Sequence, residues 1–294
     1  MNDLAIFYIT CFSYYKLWEP YLILRKKYIG EEIKCYICSD KLPKNFPIEY
    51  YHNKFKNLEF LIFNAISNIK PKGNYFKRYL YYLNNIKENY IIYNYDDYFP
   101  SNYIDNNKLK NIHELMEISD DIKIIKLKYY NKTINKEKFF YKDLEFLRYD
   151  NVNYIISTQP FIIKKNIFID ISNYCNDINK KIKRKNIKKY YSAPGMLEIY
   201  GSEYLLKEIS ENKKPYIYLT IFNNNLYDYY EDGERPGIVY GGIISNNVKN
   251  ILEKNENIHI ETNEDGLIFN VDSNIIKNVH HFYKERLEKY LKNE

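Results

Sequence analysis

Tyr90-Ile91-Ile92-Tyr93-Asn94-Tyr95-Asp96-Asp97-Tyr98-Phe99-Pro100 takes an apolar, β-branched and aromatic run straight into two adjacent carboxylates. Ile and Tyr at that density read as a buried strand. A central strand rarely ends in a bare acidic pair unless the charges face solvent or a cation. In open α/β sheets, ligands bind just beyond the carboxyl ends of the strands. Asp96 and Asp97 therefore stand where a hard cation and a phosphorylated ligand would be held. The alternative is a solvated turn whose acids cap the next helix, because Asp is common at turns.

The sequence before this stretch supports an α/β sheet. Leu4 to Thr10 reads as a first strand, followed by a turn at Cys11-Phe12-Ser13-Tyr14-Tyr15 and a helix beginning near Pro20. Leu17, Tyr21, Leu24 and Tyr28 give that helix one buried face, and Gly30 stops it. Ile33 to Cys38 is a second strand ending in Ser39-Asp40. This β-α-β opening implies a parallel pair with a right-handed crossover. Leu58 to Phe63 is a third strand, Asn74 to Lys87 a helix, Asp105 to Glu117 a helix and Asp121 to Lys128 a strand. The pattern predicts a mostly parallel sheet flanked by helices.

Beyond about residue 129 the chain is more irregular. Asn153 to Ser157 reads as a strand, Lys164 to Cys175 as a helix and Pro194 to Ser210 as another. Tyr216 to Phe222, Gly237 to Ile244, His259 to Thr262 and Leu267 to Val271 read as later strands, and Ser273 to Leu291 as an amphipathic helix. The division expected is one domain over 1–294, with a ligand-binding half in 1–128 and a second half in 129–294.

Composition narrows the classes. With 45% hydrophobic and 18% aromatic residues among 294, an ordinary core can form and global disorder is excluded. The 35 Tyr, with many Ile, Asn and Lys, look like the codon bias of an AT-rich genome, so a Tyr cluster is weak evidence for stacking. A net charge of +6 does not demand a nucleic-acid partner, and none is expected. The densest basic run, Lys180 to Lys189, is a solvated loop or a contact with an anionic membrane surface or phosphorylated substrate. Cys35-Tyr36-Ile37-Cys38 has no companion pair and no nearby His. In a strand, positions three apart point to opposite faces, so these Cys read as core residues of a reducing compartment. The N-terminus reads as a strand, not a signal peptide, and no stretch approaches the ~18 apolar residues of a membrane span. The expected location is cytoplasmic.

Three further segments look unlike plain scaffold. Ser157-Thr158-Gln159-Pro160 sets polar groups at the end of an expected strand, as a ligand contact or an ordinary turn. In the helix around Glu198, the residues Glu198, Ser202, Leu205 and Ile209 share one face. Glu198 should therefore point inward, where a carboxylate is either paired or functional. A buried Glu with a raised pKa is a competent general base; the alternative is a bridge to a Lys or the backbone. Glu234-Arg235-Pro236-Gly237-Ile238-Val239-Tyr240-Gly241-Gly242 permits close backbone approach, but it is not a P-loop. His280-His281 reads as surface.

Taken in order, these segments resemble the GT-A-type glycosyltransferases of bacterial and viral surface-polysaccharide synthesis. The resemblance runs over roughly residues 4–210. It is carried by Ser13-Tyr14-Tyr15-Lys16-Leu17-Trp18-Glu19-Pro20, Tyr36-Ile37-Cys38-Ser39-Asp40, and Leu83 to Tyr90 leading to Asp96-Asp97-Tyr98-Phe99. Ser157 to Lys165 and Glu198-Ile199-Tyr200-Gly201-Ser202-Glu203 complete it. The resemblance implies a GT-A, Rossmann-like sheet whose 1–128 half binds a nucleotide sugar and whose 129–294 half faces the acceptor. It implies Mn²⁺ or Mg²⁺ on Asp96 and Asp97, and donor contacts from Ser13, Tyr14, Asp40, Asp96 and Gln159. Glu198 is the leading base, with Glu203 behind it. The acceptor implied is a glycan or lipid-linked glycan, with possible peripheral membrane contact. A non-catalytic nucleotide- or carbohydrate-binding protein and a sugar-phosphate transferase remain open on the same fold.

Overall fold

β1 (Leu4–Ile9) is buried along its whole length, as an unbroken apolar run demands in a strand covered on both faces. The computed structural model describes residues 2–63, 75–128, 137–148, 155–184, 193–212, 217–222, 226–231, 239–240, 243–244 and 246–262. A 3₁₀ turn (Phe12–Leu17) leads into α1 (Trp18–Tyr28), then β2 (Lys34–Ser39), α2 (Ile48–Lys54) and β3 (Leu58–Ile62). Gly30 ends this first crossover at φ +89, and its N–H donates to Arg25 O at 2.9 Å. Next come α3 (Tyr75–Asn85), β4 (Tyr90–Tyr95), α4 (Asn106–Ile118) and β5 (Ile122–Lys126). Asp105 caps α4 by accepting from the amides of Asn107 and Lys108 at 2.9 and 3.2 Å.

The later chain adds β6 (Lys138–Tyr141), β7 (Leu144–Arg148), β8 (Phe161–Lys164), α5 (Lys165–Arg184), α6 (Ala193–Asn212) and β9 (Ile217–Ile221). A small hairpin of β10 (Val239–Tyr240) and β11 (Ile243–Ile244) precedes α7 (Asn246–Glu256). Nine strands form one sheet in the order β3-β2-β1-β4-β8-β5-β9-β7-β6. Strands from the first 128 residues and from the later chain therefore share it.

Each strand sends alternate residues to two cores. Leu4, Ile6 and Tyr8 meet Tyr21, Leu24, Leu109, Ile112 and Leu252 on one face. Ala5, Phe7 and Ile9 meet Phe76, Tyr79, Phe168, Ile171 and Leu197 on the other. Cys35 and Cys38 part to the two faces in the same way, and both are free thiols. Burying one such large apolar side chain contributes about 1.5–3 kcal/mol.

The expected sheet is corrected in one respect. It is parallel from β3 through β4 and between β5 and β9, but antiparallel wherever β6, β7 or β8 takes part. The expected helix began at Lys164 and no element was expected at Phe161-Ile162-Ile163, yet Phe161 to Lys164 form a strand inserted between β4 and β5. Three apolar residues and a lysine running straight into a helix carry no period of their own, so only the two neighbouring strands select the extended form. The strand expected to end at Ser157 shows no ladder at Ile155 or Ile156. Nor do His259 to Thr262 form a strand. Ile258 and Ile260 are buried there, but Glu261 and Thr262 bond to the side chains of Lys16 and Lys249. The strand expected at Leu267 to Val271, the helix from Ser273 with His280-His281, and most of Glu234 to Gly242 lie outside the described residues.

Candidate functional site

β1, β2, β4 and β5 all run toward the same edge, and the antiparallel β8 starts there. At this edge β4 delivers Asp96, which is 4% exposed, and the half-buried Asp97. Burial, aided by the neighbouring Asp97, raises the Asp96 carboxyl well above its ordinary range. Burial raises Asp97 to about 7. The Thr10 hydroxyl at the end of β1 hydrogen-bonds Asp96 and partly opposes the rise. Asp97 Oδ1 has no hydrogen-bond partner among the described residues, and neither do Asn94 Oδ1 on β4 and Ser157 Oγ on the facing loop. Buried acceptors without partners are costly, and a cation resolves two adjacent carboxylates directly. The residues present fit a divalent ion held by Asp96 and Asp97.

Beside Asp96 lies a cavity of about 140 Å³ between β1, β4 and α3. A dry cavity of similar size, ~150 Å³, accepts a benzene ring, so this one suits a single ring rather than a whole nucleotide. Its walls include Thr10, Cys11, Tyr14, Arg78, Tyr82 and Asp96. Arg78 Nε and the Tyr82 hydroxyl have no partner among the described residues, and the guanidinium lies 5.4 Å from the Tyr75 ring centre. Two unmet polar groups in a ring-sized space suit a polar heterocycle. Burial, with Asp96 and Asp40 adding, pushes the Cys11 thiol up to about 12, which disfavours the thiolate a nucleophile needs.

The residues expected at the nucleoside end divide. Tyr14 lines the cavity, and Ser13 sits on the same 3₁₀ turn without lining it. Asp40 does not line it either. Its Oδ1 accepts from Phe12 N at 2.7 Å and from Ser39 Oγ at 3.4 Å, so it anchors the turn that carries Tyr14. Arg78 was not anticipated. A lone Arg in a Tyr-rich helix carries no motif by itself; only the helix's position over β1 and β4 aims it inward.

Across the edge, the loop before β8 meets α6. Glu198 Oε1 accepts from Thr158 N at 2.9 Å and from Thr158 Oγ1 at 3.1 Å. One turn on, Ser202 Oγ accepts from Ile156 N at 3.2 Å and donates to Glu198 O at 2.6 Å. Gly201 makes this approach possible, since a Cβ there would stand 3.1 Å from Ile171 Cγ2 and 3.4 Å from Ile156 Cδ1. The Glu198-Ile199-Tyr200-Gly201-Ser202 spacing thus grips residues 156–158. Leu205 is buried on this face as expected, while the Ile209 side chain lies outside what is described. Thr158 Oγ1 is 3.5 Å from the Tyr98 hydroxyl, which links this grip to the acidic pair. Gln159 is half-buried on the same loop. Glu203 is not brought here. It is exposed and accepts from Tyr174 OH at 2.9 Å on the outer side of α5.

Elsewhere, one ligand atom each from Asp3, His113 and Glu117 lies within 4.8 Å of the others, but Asp3 already accepts from Asn89 N and Nδ2 at 2.8 and 3.0 Å. In the basic run, Lys180 pairs with Asp177 at 2.8 Å, and residues 185–189 lie outside the described residues. No described helix is long and apolar enough to cross a membrane.

No family model matches this chain, and no curated protein matches it. Solved structures give low-level likenesses. The fragment 1–349 of S. aureus TarS is 14% identical at a TM-score of 0.41, over 78% of this chain and 60% of that one. The same fragment in complex with UDP-GlcNAc is 15% identical at 0.39, over 82% and 62%. A longer TarS structure is 16% identical at 0.39, over 58% and 30%. This chain therefore spans less than two thirds of each.

Proposed function

We propose that this protein is a glycosyltransferase of GT-A type that moves a sugar from a nucleotide-diphosphate sugar to a glycan or lipid-linked acceptor in surface-polysaccharide synthesis. The observation that carries the reading is one edge of the sheet. There the buried Asp96 and the half-buried Asp97, whose Oδ1 has no partner among the described residues, lie between a ring-sized cavity and the Thr158–Glu198 pair. In this reading the cavity, with Arg78 and Tyr14, takes the base of the nucleotide, and Ser13, Asp40 and Gln159 stand around the donor. Asp96 and Asp97 hold a divalent ion, Mn²⁺ or Mg²⁺, on the diphosphate. When bound, that ion neutralises charge building on the leaving diphosphate.

The chain's own groups do the rest. Thr158 occupies Glu198 Oε1, and Glu198 Oε2 has no hydrogen bond among the described residues. Oε2 is free to take the proton of an acceptor hydroxyl as the new sugar–oxygen bond forms and the sugar–phosphate bond breaks. The hydrogen bonds from Thr158 fix the carboxylate plane, so its orientation is set before the acceptor arrives. The cavity walls and the strand ends exclude water from one side of the donor, which favours transfer over hydrolysis.

The test is calorimetry and thermal shift with nucleoside diphosphates, with and without Mn²⁺, followed by product analysis with nucleotide sugars. Metal-dependent stabilisation and a glycoside product are expected. Binding with no turnover would point to a non-catalytic binding protein, and phosphate retained in the product to a sugar-phosphate transferase.

A further inference from the structure

β4 carries Asn94 near its end, fully buried beside its cross-strand partner Tyr8 on β1. Asn is disfavoured in strands, and a buried amide is costly unless its groups are bonded. Part of that penalty remains here, because Oδ1 has no partner among the described residues. The other end of the amide is used at one place: Nδ2 donates to Tyr98 O at 3.1 Å. That bond reaches across Asp96 and Asp97, and no apolar side chain could make it. We propose that Asn94 is a positioning residue that closes the Asp96–Asp97 turn and so sets where the two carboxylates meet the divalent ion. The assignment rests on the reading of this pair as the holder of that ion.

Other bonds hold the same turn. Tyr98 N–H donates to Tyr95 O at 3.1 Å, which makes the turn a tight one. The Tyr8 hydroxyl donates to Asp96 O at 3.3 Å. The Tyr227 hydroxyl, from the later chain, donates to Tyr98 O at 3.5 Å. Tyr8, Asn94 and Tyr227 are all fully buried, and the Tyr8 ring stacks on Tyr21 with centres 3.8 Å apart. The carbonyls on either side of Asp97 are therefore held by donors that packing keeps in place. Asp97 Oδ1 itself has no partner among the described residues. A fixed backbone beneath an open carboxylate is the arrangement of a preorganised ligand site. Of the two side chains that donate to Tyr98 O, Asn94 makes the shorter bond, so its loss should loosen the turn more.

Asn94→Leu keeps the volume of the side chain and removes both amide groups, so the denaturant midpoint should stay close to that of the wild type. Two other readouts should move. Hydrogen-exchange protection of Tyr98 N–H should fall by about tenfold or more in N94L, while the amides inside β4 keep theirs. Calorimetry with Mn²⁺ and a nucleoside diphosphate should show metal affinity weaker by about tenfold or more, as for the loss of an outer-shell partner. In N94D an ionised carboxylate faces Tyr98 O, acceptor against acceptor, and the loss should be at least as large. D97A should lose the metal dependence with Tyr98 N–H still protected. Wild-type protection of Tyr98 in N94L, or wild-type Mn²⁺ affinity in N94L, overturns the proposal. So does a loss of affinity that comes with faster exchange throughout β4, because that marks a packing role. Should N94L not fold, N94A serves in its place. Should the wild type bind no Mn²⁺, the reading of the acidic pair falls and the proposal with it; a wild type and an N94L that bind Mn²⁺ equally well sink the proposal alone.

Discussion

The two sides of the sheet edge are held together by different means. On the β1–β4 side, the strands are parallel and joined by local crossovers, and the functional groups are two carboxylates and an arginine, of which Asp97 Oδ1 and Arg78 Nε lack partners among the described residues. On the β8–α6 side, the strand is antiparallel and inserted from far along the chain, and Glu198 Oε1, Ser202 and Thr158 are already bonded to the loop or to one another, while Ser157 Oγ lacks a partner among the described residues. The first side is built to receive something. The second is built to hold a loop at a fixed place. The difference teaches that an unmet polar group signals a ligand, whereas a met one signals positioning, and the two call for different experiments.

The largest expected effect tests whether Glu198 does more than hold the loop. Glu198→Gln keeps the acceptor for Thr158 but not the base, so kcat should fall by about 10²–10⁴ with nucleotide affinity preserved. A wild-type rate in this variant would reduce the β8–α6 side to pure positioning. Next comes the acidic pair. Asp97→Ala should remove the Mn²⁺ dependence of nucleotide-diphosphate binding in calorimetry, while far-UV circular dichroism stays unchanged.

The same pair makes a pH prediction with a definite sign. Burial raises both carboxyls above their value of ~4 in an unfolded chain, so the folded state binds their protons more tightly. Without metal, stability therefore falls as pH rises from ~4, through about 7 for Asp97. The melting-temperature gain from Mn²⁺ should be larger at pH 8 than at pH 5. An equal gain at both pH values would place the ion elsewhere.

Arg78→Ala should weaken nucleotide binding by about 1–3 kcal/mol with and without metal, because it removes a charged donor at the cavity wall. Equal affinity would separate the cavity from the ligand. The smallest effect belongs to the loop side. Gly201→Ala sets a methyl 3.1 Å from Ile171 Cγ2, and overpacking of this kind costs about 1–3 kcal/mol, toward the lower end for one methyl. Denaturant melts should show that loss with no change in metal dependence.

Much of the β1–β4 side was legible in the chain itself. The run from Tyr90 to Tyr95 is a strand over those same residues, because β-branched and aromatic side chains covered on both faces leave little choice. The helix after it starts one residue beyond Asp105, whose carboxylate caps it. Asp40 was placed correctly beside strand two but serves the turn, since a short acidic side chain bonds the nearest backbone amide first. The helical spacing of Glu198, Ser202 and Leu205 gave their shared face, but not the amides that this face would meet. Arg78 was illegible. A positive residue among Tyr or Ile has no period or motif, and its meaning depends on which strand end faces it.

The sequence alone determined where apolar runs begin and stop, which residues share a face, and that two carboxylates end a buried strand. These are consequences of local sterics and of side-chain periodicity. Tertiary structure alone decided that β8 inserts antiparallel between β4 and β5. That insertion brings Thr158 and, through it, Glu198 to the edge where Asp96 and Asp97 stand. The physical reason is that strand pairing across some forty to seventy residues is fixed by register and by mutual burial of neighbouring strands, and neither is written in any short window of the chain.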